Sequence, residues 1–177
     1  MLNRNSRLAA LLKASFPQKQ WFWYDHDHFT PLPSLVHIFI GVPGDAILDD
    51  NRYVTADGCV PHDCVANRGM LWIDTGTQPA FLMFAAINPI RSNNPPFESH
   101  LWIYTSRKLS WQPMPAPFLF SLHRWLAATG EPGYRETDGY HYSFSIETIV
   151  QPDGVMVDLG PDVLGLSAVS AQHGAGL

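Results

Sequence analysis

Only two cysteines, Cys59 and Cys64, occur in the 177 residues. With no second pair, the sequence cannot complete the four-cysteine zinc sites of known spacing, and two cysteines alone do not fix a redox compartment. No apolar run approaches the roughly eighteen residues needed to cross a bilayer; the longest, residues 80–87 (AFLMFAAI), has the length of a buried strand. The expectation is a chain with no membrane partner. Charged residues are sparse at 15 %, and the net charge is −5. Nucleic acid demands a basic footprint and is excluded on that ground, whereas a basic protein suits the charge. The sequence also lacks a GxSxG elbow, a glycine-rich phosphate loop and an HExxH helix. These absences argue against an enzyme, and no cofactor is expected.

What the chain does have is 46 % hydrophobic residues and six tryptophans, enough for a real core in one domain. Leu8, Leu11, Leu12 and Phe16 fall at helical spacing after a capping Asn5 or Ser6, which predicts a helix over 6–15. Arg4 and Arg7 lead only to LAALL before Lys13 interrupts, so this stretch is not read as an export signal, and a cytoplasmic location stays open. An aromatic segment closed by Pro31 and Pro33 precedes a predicted strand at 35–40 (LVHIFI), and GVPGD reads as a turn.

Further strands are expected at 52–56, 69–74, 80–88 and 100–105, the third of them central because it is apolar throughout. Residues 115–130 form the clearest helix, with prolines at its start and Gly130 at its end. In 140–149 the alternation of Tyr140, Tyr142, Phe144 and Ile146 with polar neighbours predicts a half-buried strand. The fold class is therefore α+β, an antiparallel sheet of about five strands with flanking helices. Residues 1–150 are read as a single domain, with 151–177 as an extension or tail.

Two segments carry chemistry. In DHDH, residues 25–28, His26 and His28 share one face if extended and could supply half a metal site; the plain alternative is a polar surface turn. In DGCVPHDCVANRG, residues 57–69, Cys59, Val60, Pro61, His62, Asp63 and Cys64 make a compact loop that presents an imidazole beside a carboxylate. Cys59, His62 and Cys64 could join one of the other histidines around a metal. Alternatively a small disulfide ring could tighten a turn, although so small a ring stabilises by only about 2 kcal/mol. Such a ring is better suited to fixing its contents, and Pro61 fixes one more φ before His62.

The loop GCVPHDC resembles the Cys-Lys-Pro-His-Asp-Cys loop of the Ivy family, bacterial inhibitors of vertebrate C-type lysozymes. YVTADG before it, VANRG, MLWID and FLMFAA after it, and HLWIYTS with the following helix repeat the family's order of elements, so the resemblance covers about residues 48–128. It implies an Ivy-like domain in which a disulfide joins Cys59 to Cys64 and the loop enters a lysozyme cleft with His62 as the key inhibitory residue. Asp63 would orient the loop or accept a hydrogen bond, and Pro61 would limit the entropy lost on docking. It also implies a basic partner, a lysozyme or related glycoside hydrolase, and a periplasmic or secreted location. The family and the tryptophan content are compatible with a homodimer. Val60 stands where the family commonly has lysine, which removes a charge from the loop and leaves room for a same-fold module directed at another partner.

Overall fold

A computed structural model describes residues 6–16, 19–21, 29–89, 98–109, 114–129, 143–159 and 164. Helix α1 (Ser6–Ser15) ends at Phe16, whose amide donates to the Leu12 carbonyl. A small sheet pairs β1 (Lys19–Trp21) with β2 (Phe29–Pro31), and helix α2 (Leu32–Phe39) follows directly. Then come β3 (Val42–Asp49), β4 (Tyr53–Cys59), β5 (Arg68–Asp74), β6 (Phe81–Pro89), β7 (Glu98–Thr105), α3 (Ala116–Thr129), β8 (Ser143–Val150) and β9 (Met156–Asp158). The α+β class stands. The main sheet has seven strands in the order β3-β4-β5-β6-β7-β8-β9, rather than about five.

Four features correct the sequence reading. LVHIFI is not a strand but the body of α2, where Leu32, Leu35, Val36 and Phe39 are buried at helical spacing. Pro33 does not forbid this, because amides in a helix's first turn have no intrahelical acceptor to lose. GVPGD is not only a turn: from Val42 onward it forms the start of edge strand β3, with a bulge between Pro43 and Ala46. An edge strand tolerates proline and glycine because one side of its ladder is open. The sheet is not wholly antiparallel either, since β7 and β8 run parallel. That geometry needs a long crossover, and α3 lies in it. Finally, β9 pairs antiparallel with β8, so residues 156–158, within the segment read as an extension, join the sheet.

Alternation in the strands divides the core into two layers. Leu71, Leu82, Phe84, Ala86 and Tyr104 pack under α1 and α2. Met70, Trp72, Met83, Ala85, Leu101 and Ile103 face Phe118, Leu122 and Trp125 of α3. β6 is covered on both faces, as its continuous apolar run predicts, with every residue from Phe81 to Asn88 buried. The β3–β4 turn is clamped at the end of the sheet away from Cys59. Arg52 Nε and Nη2 donate to Asp74 at 2.7 and 2.8 Å, and Arg124 of α3 donates to both oxygens of Asp49 at 2.9 and 2.7 Å. No helix among the described residues is long and apolar enough to cross a membrane.

Beyond β7 a polar chain crosses three strands. His100 Nε2 lies 2.8 Å from Thr148 Oγ1, whose hydroxyl donates to Asp158 Oδ1 at 2.6 Å, so the imidazole is the donor to Thr148. The ring also stacks on Trp102 at 3.8 Å. Burial lowers the His100 pKa to about 4, against the opposing pull of Asp158. A base with a depressed folded pKa adds nothing unfavourable above its unfolded value, and stability falls as the pH drops from 6.5 through 4. The half-buried ring limits the loss to about 1–2 kcal/mol. Denaturant unfolding at pH 7 and pH 4.5 checks this; His100→Gln should remove most of the difference, and an unchanged difference would assign it to other groups.

Candidate binding loop

The loop is held by the strands that flank it. β4 and β5 pair through Gly58↔Gly69 and Cys59↔Arg68, and residues 60–67 bridge the two ends. Val60 N–H donates to the Asn67 carbonyl at 3.0 Å, closing the mouth. Cys59 and Cys64 are joined in a disulfide with their Cα atoms 4.8 Å apart. Both sulfurs are thus bonded to each other, and neither can serve as a thiolate ligand. This removes the metal arrangement built on Cys59, His62 and Cys64. His26 and His28 lie outside the described residues, and among the described residues no group of three or more His, Cys, Asp or Glu could hold a metal ion.

Inside the ring the backbone makes a tight turn. Asp63 N–H donates to the Val60 carbonyl at 2.9 Å, Pro61 takes the second position and His62 the third. The φ of His62 is +67°. Proline second and a positive φ third define a type II turn, whose third position ordinarily belongs to glycine or asparagine. A histidine there is strained by about 1–2 kcal/mol, so the surrounding bonds must hold it in place. Pro61 and His62 are both exposed at the tip, while Asp63 and Cys64 are half-buried.

The other candidate residues face inward. Cys59 is buried, and Val60, 3 % exposed, belongs to the core cluster with Ile40, Phe39 and Leu12. The position expected to change the charge offered to a partner is therefore an apolar root for the loop. Asp63 is engaged within the loop, accepting a hydrogen bond from Asn67 Nδ2, and the Asp63 carbonyl accepts from Asn67 N–H at 3.0 Å. The Pro61 ring lies in the space that a side chain at Gly41, just after α2, would need.

Asn67 was not singled out by sequence reasoning, where VANRG enters only as one of the segments that carry the resemblance. It is 2 % exposed, and its side chain and both backbone groups tie the outgoing arm to Val60 and Asp63. Gly58 was missed as well, because its pairing with Gly69 depends on a register that only the folded chain shows. Asn67→Ala is expected to cost about 1–2 kcal/mol of stability and to accelerate amide exchange at Asp63 and Val60. Unchanged exchange at both amides would remove Asn67 as a strut.

Comparison with known families bears on this same segment. Residues 36–103 match the family model of Ivy, the inhibitor of vertebrate lysozyme. That is the family which the loop sequence resembles. The match runs from within α2 to within β7, so it holds the whole loop, its disulfide and the strands that carry it. It begins earlier than the resemblance read from the sequence, taking in β3, and it stops before α3. No curated protein and no solved structure matches the chain. The Ivy match concerns an inhibitor family.

Proposed function

We propose that this protein inhibits a C-type lysozyme or a similar cell-wall hydrolase by placing the loop 59–64 in the active-site cleft, with His62 between the two catalytic carboxylates. The observation that carries the reading is the exposed imidazole at a positive-φ turn, closed by the disulfide and lying inside the segment that matches Ivy. A lysozyme cleft holds one carboxylic acid of raised pKa and one ionised carboxylate. An imidazole complements that pair, because each of its two ring nitrogens can hydrogen-bond to one carboxyl group. Bonds to the ionised partner are charge-assisted and stronger than neutral ones.

The rest of the loop supports preorganisation. Disulfide, proline turn and Asn67 together leave little chain entropy to lose on docking, so more of the contact energy appears as affinity. On this reading Cys59 and Val60 anchor the loop, Pro61 and His62 meet the target, and Asp63 orients the tip. Residues 1–150 act as one Ivy-like domain, and 151–177 extend it. The protein is no enzyme and needs no cofactor; it works where its target is, in the periplasm or outside the cell.

A cell-wall clearing assay with a C-type lysozyme tests the proposal, using oxidised and reduced protein side by side. Inhibition by the oxidised form that weakens on reduction is the expected result. Absence of inhibition at micromolar oxidised protein would overturn it.

A further inference from the structure

The loop is not the only fixed and exposed feature at its end of the sheet. β3 begins there, and the register sets Val42 opposite Cys59 and Pro43 opposite Gly58. Every residue from Val42 to Ala46 is exposed, and Val42, at 42 %, is among the large apolar side chains that stand exposed in the described residues. The strip cannot drift relative to the loop. A Cβ added at Gly41, just before it, would lie 3.1 Å from the Pro61 ring, so the start of β3 and the turn that carries His62 run close together.

A second device shapes the strip. Asp57 on β4 accepts a hydrogen bond from Asp45 N–H at 2.6 Å, within the bulge between Pro43 and Ala46. Its carboxylate occupies the space that a side chain at Gly44 would need. Burial raises the Asp57 pKa, so this polar group is held partly out of water to keep the bulge in shape. Asp45 itself is exposed, and its carboxylate makes no ion pair among the described residues.

We infer that Val42 and Asp45, on the bulged start of β3, form a second contact strip for the same basic hydrolase that takes His62, Val42 packing on the cleft rim and Asp45 meeting a basic side chain there. The inference rests on the proposed function and adds a residue-level determinant of partner choice. Charge complementarity favours this occupant: the chain carries −5, and vertebrate C-type lysozymes are basic. A rim carboxylate acts mainly on the rate of encounter, whereas an apolar side chain beside a central anchor acts on the lifetime of the complex.

Binding kinetics against one C-type lysozyme, at low and high salt, test the strip with the parent, Asp45→Asn, Val42→Ser and Ala10→Lys. Asp45→Asn and Ala10→Lys change the net charge equally, but Ala10 lies on the exposed side of α1. Expected are association slowed about threefold by Asp45→Asn at low salt and hardly at all at high salt, dissociation quickened several-fold by Val42→Ser, and no effect of Ala10→Lys. Parent-like kinetics for both strip variants would overturn the inference while leaving the loop mechanism intact. Equal slowing by Ala10→Lys would reduce the role of Asp45 to overall charge and overturn it too. A parent that does not bind would remove the proposed function and the strip together.

Discussion

His62→Ala is expected to weaken binding to a C-type lysozyme by about 10- to 150-fold, the loss of about 1.4–3 kcal/mol that follows removal of charged hydrogen bonds at a central anchor. The same change leaves the fold intact, because His62 is exposed and makes no core contact. His62→Gly separates binding from stability. At φ +67° glycine escapes the steric penalty that histidine carries, so this variant should be as stable as the parent or more stable by up to about 1 kcal/mol. It should nevertheless bind as poorly as the alanine variant. Isothermal titration and thermal unfolding of the three proteins read both effects, and a glycine variant that binds like the parent would take His62 out of the mechanism.

Gly58→Ala should give the largest loss of stability of any single methyl added near the loop. An ideal Cβ there lies 2.5 Å from the Val42 carbonyl oxygen and 2.8 Å from the Ile40 Cα. Both are backbone atoms and cannot rotate away, so the turn from α2 into β3 must move. At Gly44 the obstructing atom belongs to the Asp57 side chain, which can swing aside. The expected cost at Gly58 is about 2–4 kcal/mol, or a fall in Tm of about 5–15 °C. Because the same movement shifts Val60 and Pro61, inhibition should weaken with stability. A Tm within a few degrees of the parent would mean that α2 is not packed as tightly on the loop root as the geometry shows.

Elements with a long, consistent pattern were readable from residues alone. The continuous apolar run at 80–88 marked β6, and the spacing through 118–126 marked α3, because burial on both faces or along one stripe leaves a clear period. LVHIFI carried too few residues for its period to tell helix from strand, and the prolines before it fit either. The outer strands β3 and β9 were hidden for the opposite reason. β9 has only three residues, and β3, though eight long, is mostly solvent-facing, so no apolar pattern selects them. At the loop, the residue types left a disulfide ring and a metal site both open and the resemblance to Ivy implied the ring, but neither told which way each residue faces. Val60 points into the core and Asn67 serves as a strut because of contacts with α2 and across the loop mouth, and those depend on the folded chain.

The most direct measurement is a crystal structure of the oxidised protein with a C-type lysozyme. The expected complex has the His62 ring inside the cleft, one nitrogen within hydrogen-bonding distance of each catalytic carboxylate, and the disulfide-closed turn unchanged from its free form. A complex in which the cleft is open to substrate and His62 faces solvent would contradict it.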